Sequence, residues 1–133
     1  MPSYSKVSKD RLTTAHPMLQ KLFNQVILYY DCVIIEGFRD QATQDKAFNA
    51  GKSKLKWPNS KHNSNPSHAI DAAPFINGKL CWDKDQVLQF AGFVLGIAAV
   101  LCIPIRWGGD FNENGIIGDQ KFFDAVHFEL KLD

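Results

Sequence analysis

Helical and strand-like hydrophobic patterns are interleaved along this chain, and they do not repeat as regular β–α–β units. Apolar residues recur at steps of three and four in the helical segments, whereas short β-branched or alternating runs mark the strands. The predicted helices are 10–31, 40–50 and 84–101, and the predicted strands are 33–35, 68–75, 103–107 and 126–132. This mixed order favours the α+β class, with helices packed on a small antiparallel sheet.

Turn-forming residues divide these segments. The dipeptide His16-Pro17 can break the first helical segment into a short helix and a longer one. Gly51 supplies a stop for the second helix, and Asp83 can cap the third. Residues 52–67 are polar, with two prolines and three asparagines, and therefore predict a long loop. Long loops inside compact domains are often functional.

Length and charge limit the function classes. A chain of 133 residues with 45% hydrophobic content fits one domain, 1–133. The net charge of +1 gives no strong basic footprint, so we expect no nucleic-acid partner. No apolar stripe is obviously exposed, and we expect a monomer.

The cysteines and the apolar segments bear on the compartment. Three cysteines form no CxxC pair and no disulfide framework, and their apolar neighbours predict buried free thiols: Cys32, Cys81 and Cys102. The N-terminus has no apolar region of the kind found in signal peptides. The most apolar stretch, 90–105, is shorter than the ~20 residues that span a bilayer, so we expect a buried helix and no stable membrane insertion.

Metal-ligating side chains are concentrated in two regions, 60–71 and 124–129. Two histidines and a carboxylate from separate segments, His62, Asp71 and His127, can form a three-ligand zinc site with an open fourth position. Strand alternation places Asp71 on the face away from His68. Asp124 precedes His127 by three residues, where it can lie beside a metal without binding it. The spacing alone equally allows ordinary structural roles for these residues.

A second candidate metal site lies in the loop after the 103–107 strand. Oxygen ligands stand at positions 1, 3 and 5 of an EF-hand-like pattern, with glycine at position 6: Asp110, Asn112, Asn114 and Gly115. Position 12, which needs a glutamate in an EF-hand, is Lys121, so a standard EF-hand is excluded. A one-sided calcium loop that also uses Asp119 is one interpretation, and an Asn/Gly-rich turn is the other.

Three sequence blocks carry a resemblance to a known superfamily. They are GFR at 37–39 followed by Gln44 and GKS at 51–53; SKH at 60–62 through AIDAAP at 69–74; and RWGGDF at 106–111 with DAVHFE at 124–129. In this order they resemble the zinc peptidases of the D-alanyl-D-alanine dipeptidase and carboxypeptidase superfamily. The chain is most similar to the phage L-alanyl-D-glutamate peptidases that act as endolysins.

The chain departs from the superfamily pattern at two points. Asp71 follows His62 by nine positions, two more than in many relatives, and a glycine found between them in those relatives is missing. The carboxylate three residues before the last histidine is often glutamate in the superfamily and is Asp124 here.

The resemblance implies a role for each candidate residue. Zinc would be held by His62, Asp71 and His127, with Asp124 as the base that takes a proton from water. Arg39 would stabilise the oxyanion. The remaining candidates are Ser60, as a hydrogen-bond partner of substrate or of a ligand, or a loop cap; Glu129, as a partner of a ligand or a rival base; and Trp107, as a cleft wall or a core aromatic.

The function that the resemblance implies is hydrolysis of the peptide stem of peptidoglycan, at the L-Ala–D-Glu bond. The alternatives are a D,D-carboxypeptidase or dipeptidase on the same scaffold, and a non-catalytic zinc-bearing module of the hedgehog type. A metal-free interaction protein is a third alternative. As an endolysin the chain would accumulate in the host cytoplasm without a signal peptide and reach the cell wall after release.

Overall fold

Four α-helices and five β-strands follow one another along residues 2–119 and 123–132, which a computed structural model describes. The helices are α1 (Lys6–Leu12), α2 (Pro17–Val26), α3 (Gln41–Asn49) and α4 (Lys84–Val100). The strands are β1 (Cys32–Glu36), β2 (Ala69–Ile76), β3 (Lys79–Leu80), β4 (Ile105–Trp107) and β5 (His127–Leu130), and a 3-10 turn covers Lys61–Asn63. The sheet order is β1-β2-β5-β4, with β3 on β2 and every pair antiparallel, which confirms the predicted α+β class.

The helix boundaries follow from capping. The predicted break at His16-Pro17 is present: the His16 side chain accepts a hydrogen bond from the Met18 N–H at the start of α2. Asp40 and Asp83 cap α3 and α4 in the same way. Helix α1 begins at Lys6, earlier than the apolar pattern predicted, because Ser5 caps it. Helix α2 ends at Val26, whereas the pattern predicted a helix that continues to about residue 31.

One face of the sheet is covered by the long helices. Three phenylalanine rings, Phe23 of α2, Phe90 of α4 and Phe128 of β5, are fully buried and pack edge to face. Ile70 and Ala72 of β2 point into the same core. Because side chains alternate along a strand, Asp71 between them points to the other face of the sheet.

The prediction of three buried thiols is correct only for Cys32, which lies in the core beside the Tyr4 hydroxyl. Cys81 is half-buried and Cys102 is exposed. Cys102 follows α4 in a left-handed conformation (φ 58°), so its apolar sequence neighbours enter the core while its own side chain points to solvent. None of the helices in the described part of the chain is long and apolar enough to cross a bilayer.

Candidate metal centre

Three elements bring two histidines and an aspartate together on the open face of the sheet. Antiparallel pairing of β2 with β5 places Asp71 directly opposite His127. His62 lies in the 3-10 turn, where Ser60 and Asn63 form a capping box. Although the spacing between His62 and Asp71 is longer than in many relatives, the two side chains still meet.

The three side chains form a tight and largely buried group. Asp71 Oδ1 is 3.1 Å from His62 Nε2 and 3.1 Å from His127 Nδ1. One ligand atom from each residue lies within 4.8 Å of the others. The side chains of His62, Asp71 and His127 are only 2, 13 and 10% exposed. Two imidazoles and one carboxylate converging in this way are a donor set that suits zinc.

The far nitrogen of each histidine is held by a fixed partner. His62 Nδ1 is 2.8 Å from the Gly37 carbonyl oxygen, and His127 Nε2 is 2.8 Å from Glu129 Oε1. These contacts turn His62 Nε2 and His127 Nδ1 toward Asp71. Histidines that bind metals typically donate their other N–H to a carbonyl or a carboxylate, so both rings are oriented as metal ligands require.

The electrostatics of the metal-free group fit the same interpretation. Burial alone would raise the pKa of Asp71, but the charges of His62 and His127 and their hydrogen bonds outweigh it and hold the pKa below its usual range. Burial would lower the pKa of His127, yet hydrogen bonds to Asp71 and Glu129 raise it to about 10. A metal that binds here therefore displaces a proton from His127.

Glu129 contacts the back of the centre. Its Oε1 is at hydrogen-bond distance from His127 Nε2. Its Oε2 accepts two hydrogen bonds from Arg106, from Nη2 at 2.9 Å and from Nε at 3.2 Å. Burial would raise the pKa of Glu129, but the hydrogen bond with His127 and the charges of His127 and Arg106 lower it. Of the two predicted roles, this geometry favours the partner of a ligand over the rival base.

We expect Glu129→Gln to lower metal affinity roughly 10–100-fold, the usual effect of removing a carboxylate that orients a ligand histidine. Competition with a chromogenic chelator measures the affinity, and far-UV circular dichroism should show an unchanged fold. Glu113→Gln is the matched control, because Glu113 is exposed and contacts Lys131. Equal affinity in both variants would mean that Glu129 does not orient His127.

Arg39 extends over the centre from the segment after β1. Its Nε and Nη2 donate to Glu36 at 3.0 and 2.8 Å, and its Nη1 donates to Gln44 Oε1 at 2.9 Å. Nη2 also lies 3.8 Å from Asp71 Oδ2. Burial would lower the pKa of Arg39, but the hydrogen bond to Glu36 and nearby acidic charges, including that of Asp124, raise it. Arg39 is thus a fixed cation rather than a mobile surface arginine.

Asp124 is held in the turn that enters β5. The Asp124 N–H donates to the Gly108 carbonyl at 2.9 Å, and the Gly108 N–H donates to the His127 carbonyl at 2.8 Å. Burial, followed by the negative charge of Asp71, raises the pKa of Asp124. Asp124 lines the same groove as the centre, and its charge interacts with those of Asp71, His127 and His62.

Gly108 has no room for a side chain at this contact. A Cβ there would lie 2.1 Å from the Asp124 carbonyl oxygen and 3.0 Å from His127 Cβ. We expect Gly108→Ala to push the turn away, to cost about 1–3 kcal/mol of unfolding free energy and to lower activity. Thermal unfolding and hydrolysis assays measure the two effects. Gly92→Ala on α4 is the control, since its Cβ would meet no atom within 4 Å. If Gly108→Ala changed stability and activity as little as Gly92→Ala, the turn would tolerate the added methyl group.

The centre lies in a groove of about 650 Å³. Ser60 lines it, and the Ser60 Oγ also accepts a hydrogen bond from the His62 N–H, so the loop-capping role is present. Trp107 is not among the described residues that line the groove. It is buried in the core, and its Nε1 donates to the Ala125 carbonyl at 2.7 Å. The geometry therefore favours the core interpretation of Trp107.

Sequence reasoning did not assign roles to three residues that shape the site. Trp82, which is 61% exposed, and Phe111, whose ring centroid is 5.7 Å from that of His127, both line the groove. Gln44 is fully buried and binds Arg39. A tryptophan just before a predicted helix cap and a glutamine five residues after the arginine were the available signals.

The candidate calcium loop is ordered by its own side chains. Asp110 accepts hydrogen bonds from the backbone N–H groups of Asn114 and Gly115, and Asn112 accepts a further one from the Asn114 N–H. The Asn114 side-chain amide donates to Asp119. The candidate oxygen ligands therefore lie in one turn. This arrangement is compatible with a one-sided calcium loop and also with an Asn/Gly-rich turn that binds no metal. Lys121, at position 12 of the pattern, lies outside the described residues.

An α+β fold with an oriented His–Asp–His group, an arginine and a carboxylate in an open groove is typical of metal-dependent hydrolases. Residues 2–131 match the family model described as phage L-alanyl-D-glutamate peptidase. The chain belongs to this family of peptidases.

Individual relatives agree with the family match. The chain is 34% identical to the L-alanyl-D-glutamate peptidase of Escherichia phage T5, and the alignment covers 96% of both chains. Its structure resembles the crystal structure of the L-Ala D-Glu endopeptidase ChiX of Serratia marcescens with a TM-score of 0.77 and 26% identity. That match covers 97% of this chain and 90% of the other.

Proposed function

We propose that this chain is a zinc endopeptidase that hydrolyses the L-Ala–D-Glu bond in the peptide stem of peptidoglycan. The observation that carries the proposal is the His62–Asp71–His127 group, whose inward-facing nitrogens and carboxylate converge in a groove that also holds Arg39 and Asp124. Relatives aligned over almost the whole chain are named for this bond. The three ligands favour zinc among the divalent metals.

Each residue has a defined part in hydrolysis. Zinc, when bound, would polarise the scissile carbonyl and lower the pKa of a bound water toward ~7. Asp124 accepts the proton of the attacking water as the new C–O bond forms, and passes it to the nitrogen of D-glutamate as the C–N bond breaks. Its raised pKa makes Asp124 a stronger base than an exposed aspartate.

Arg39 stabilises the negative charge that develops on the carbonyl oxygen. A guanidinium has five N–H donors, and three of those on Arg39 are used by Glu36 and Gln44 among the described residues. The remaining two donate no hydrogen bond within the described part of the chain, and we propose that they bind the oxygen of the substrate. Because Glu36 and Gln44 fix the plane of the guanidinium, little reorganisation is needed when the charge forms.

The test is digestion of purified Gram-negative peptidoglycan by the zinc-loaded protein, with products identified by mass spectrometry. New D-glutamate amino termini, with L-alanine left on the glycan side, would support the proposal. Release of D-alanine alone would assign the chain to the carboxypeptidase alternative. Stoichiometric zinc without cleavage would assign it to the non-catalytic module, although Arg39 and Asp124 have no evident purpose there.

Calcium in the loop of Asp110, Asn112, Asn114 and Asp119 is a second part of the proposal. This loop connects β4 to the turn of Asp124, so a cation there would order the approach to the centre. Isothermal titration with calcium tests it, using Asp110→Asn for comparison. Calcium binding by the wild type that is lost in Asp110→Asn would support a calcium site in this loop. Absence of calcium binding by the wild type would mean that the segment is an Asn-rich turn without a cation.

The setting of the activity is also a proposal. As an endolysin, the protein would act on the cell wall after release from the host cytoplasm, as a monomer. Sedimentation of the zinc-loaded protein tests the oligomeric state. Lysis of outer-membrane-permeabilised cells from outside tests whether the enzyme needs only access to its substrate.

A further inference from the structure

Three lysines line the groove beside the metal centre, and we name them the lysine rim: Lys52, Lys54 and Lys61. Both arginines of the groove, Arg39 and Arg106, are paired with carboxylates, Glu36 and Glu129. Within residues 2–119 and 123–132, neither Lys52 nor Lys61 has a carboxylate at salt-bridge distance. Lys52 and Lys61 therefore contribute positive charge to the groove that no carboxylate of the described residues pairs with.

The segment that carries two of these lysines is fixed rather than loose. The Lys52 and Ser53 N–H groups donate to the Ala47 carbonyl at 2.9 and 3.2 Å. The buried Gln44 Nε2 donates to Ser53 Oγ at 3.0 Å and to the Leu55 carbonyl at 2.6 Å.

Gln44 also ties this segment to the centre. Its Oε1 accepts hydrogen bonds from Arg39 Nη1 and from Asn63 Nδ2, the latter at 3.1 Å. One side chain thus connects the lysine-bearing wall to the arginine over the metal site. The backbone positions of Lys52 and Lys54 are consequently set relative to the site before any ligand arrives.

The chemistry of the substrate supplies the matching charge. Glutamate has two carboxyl groups, and only one can continue the peptide chain, so a D-glutamate within the stem keeps a free carboxylate. This carboxylate belongs to the residue whose nitrogen is released, so it enters the groove close to the scissile bond. We propose that the lysine rim binds the free carboxylate of this D-glutamate and thereby selects acidic over amidated stems. This inference rests on the proposed function.

The test compares two disaccharide tripeptides that differ only at that carboxylate, one with D-glutamate and one with D-isoglutamine, in which it is an amide. We expect kcat/KM of the wild type to be about tenfold lower for the amide, the sum of several exposed ion pairs. The ratio should approach one in K52Q/K54Q/K61Q, and also in the wild type at high salt, because exposed charges are screened. Lys21→Gln, on exposed α2 surface, should keep the wild-type ratio.

The outcomes separate the inference from the proposed function. The proposed role of the lysine rim would be overturned if the wild type hydrolysed both substrates equally, or if the triple variant kept the full discrimination. Either result would leave the proposed peptidase function unaffected. Cleavage of neither substrate would overturn the proposed function and the inference with it. The salt dependence in the wild type needs no variant, so the test holds even if the triple variant folds poorly.

Discussion

Replacing Asp124 with asparagine is expected to lower kcat by about 10³, within the roughly 10²–10⁴-fold range of general-base catalysis. The amide cannot accept the proton of the attacking water, and it cannot return one to the leaving nitrogen. Asparagine has nearly the same size, and the Asp124 backbone contacts to Gly108 and His127 do not involve the side chain. The fold and the metal should therefore be retained, and peptidoglycan hydrolysis with metal analysis measures both.

Two controls sharpen this result. Asp45→Asn, on the exposed surface of α3, should hydrolyse at the wild-type rate. Loss of zinc in Asp124→Asn would make Asp124 a ligand and would contradict its assignment as the base. Near-normal hydrolysis with zinc retained would shift the role of base to another group.

Removal of the metal by a chelator is expected to reduce hydrolysis below detection while the fold persists. The reason for the second part is that the metal-free residues already hold one another: Asp71 Oδ1 lies 3.1 Å from a nitrogen of each histidine. The melting temperature should fall because a ligand of the native state is lost. Activity and thermal unfolding, before and after zinc is restored, measure the two effects.

A variant of a proposed ligand tests the same conclusion by another route. Asp71→Ala should lose metal and activity together, whereas His68→Gln, on the opposite face of the same chain segment, should keep both. Hydrolysis that survives chelation would show that the three residues are not a catalytic metal centre. Unfolding on chelation would mark the metal as structural.

Local patterns in the sequence were enough to predict much of this protein. Helical spacing, the His16-Pro17 dipeptide, the stop at Gly51 and the cap at Asp83 predicted three helical regions and the break between α1 and α2. Alternation along the predicted 68–75 strand placed Asp71 on the face away from His68, and the structure puts that face on the side of the sheet opposite the core. The order of the motifs predicted the family, because each motif keeps its residue types even where a spacing differs.

The tertiary structure decided what depends on pairing across the chain. Asp71 and His127 are 56 residues apart, and only the register of β2 with β5 places them opposite each other. The same holds for Gln44, whose carbonyl and amide bind three separate segments. Trp82 borders the groove, whereas Trp107 packs in the core. The amino-acid composition does not distinguish these two positions. Periodicity fixes which side of its own strand or helix a residue occupies. Partners on other elements are set by packing and register, which minimise the free energy of the whole chain.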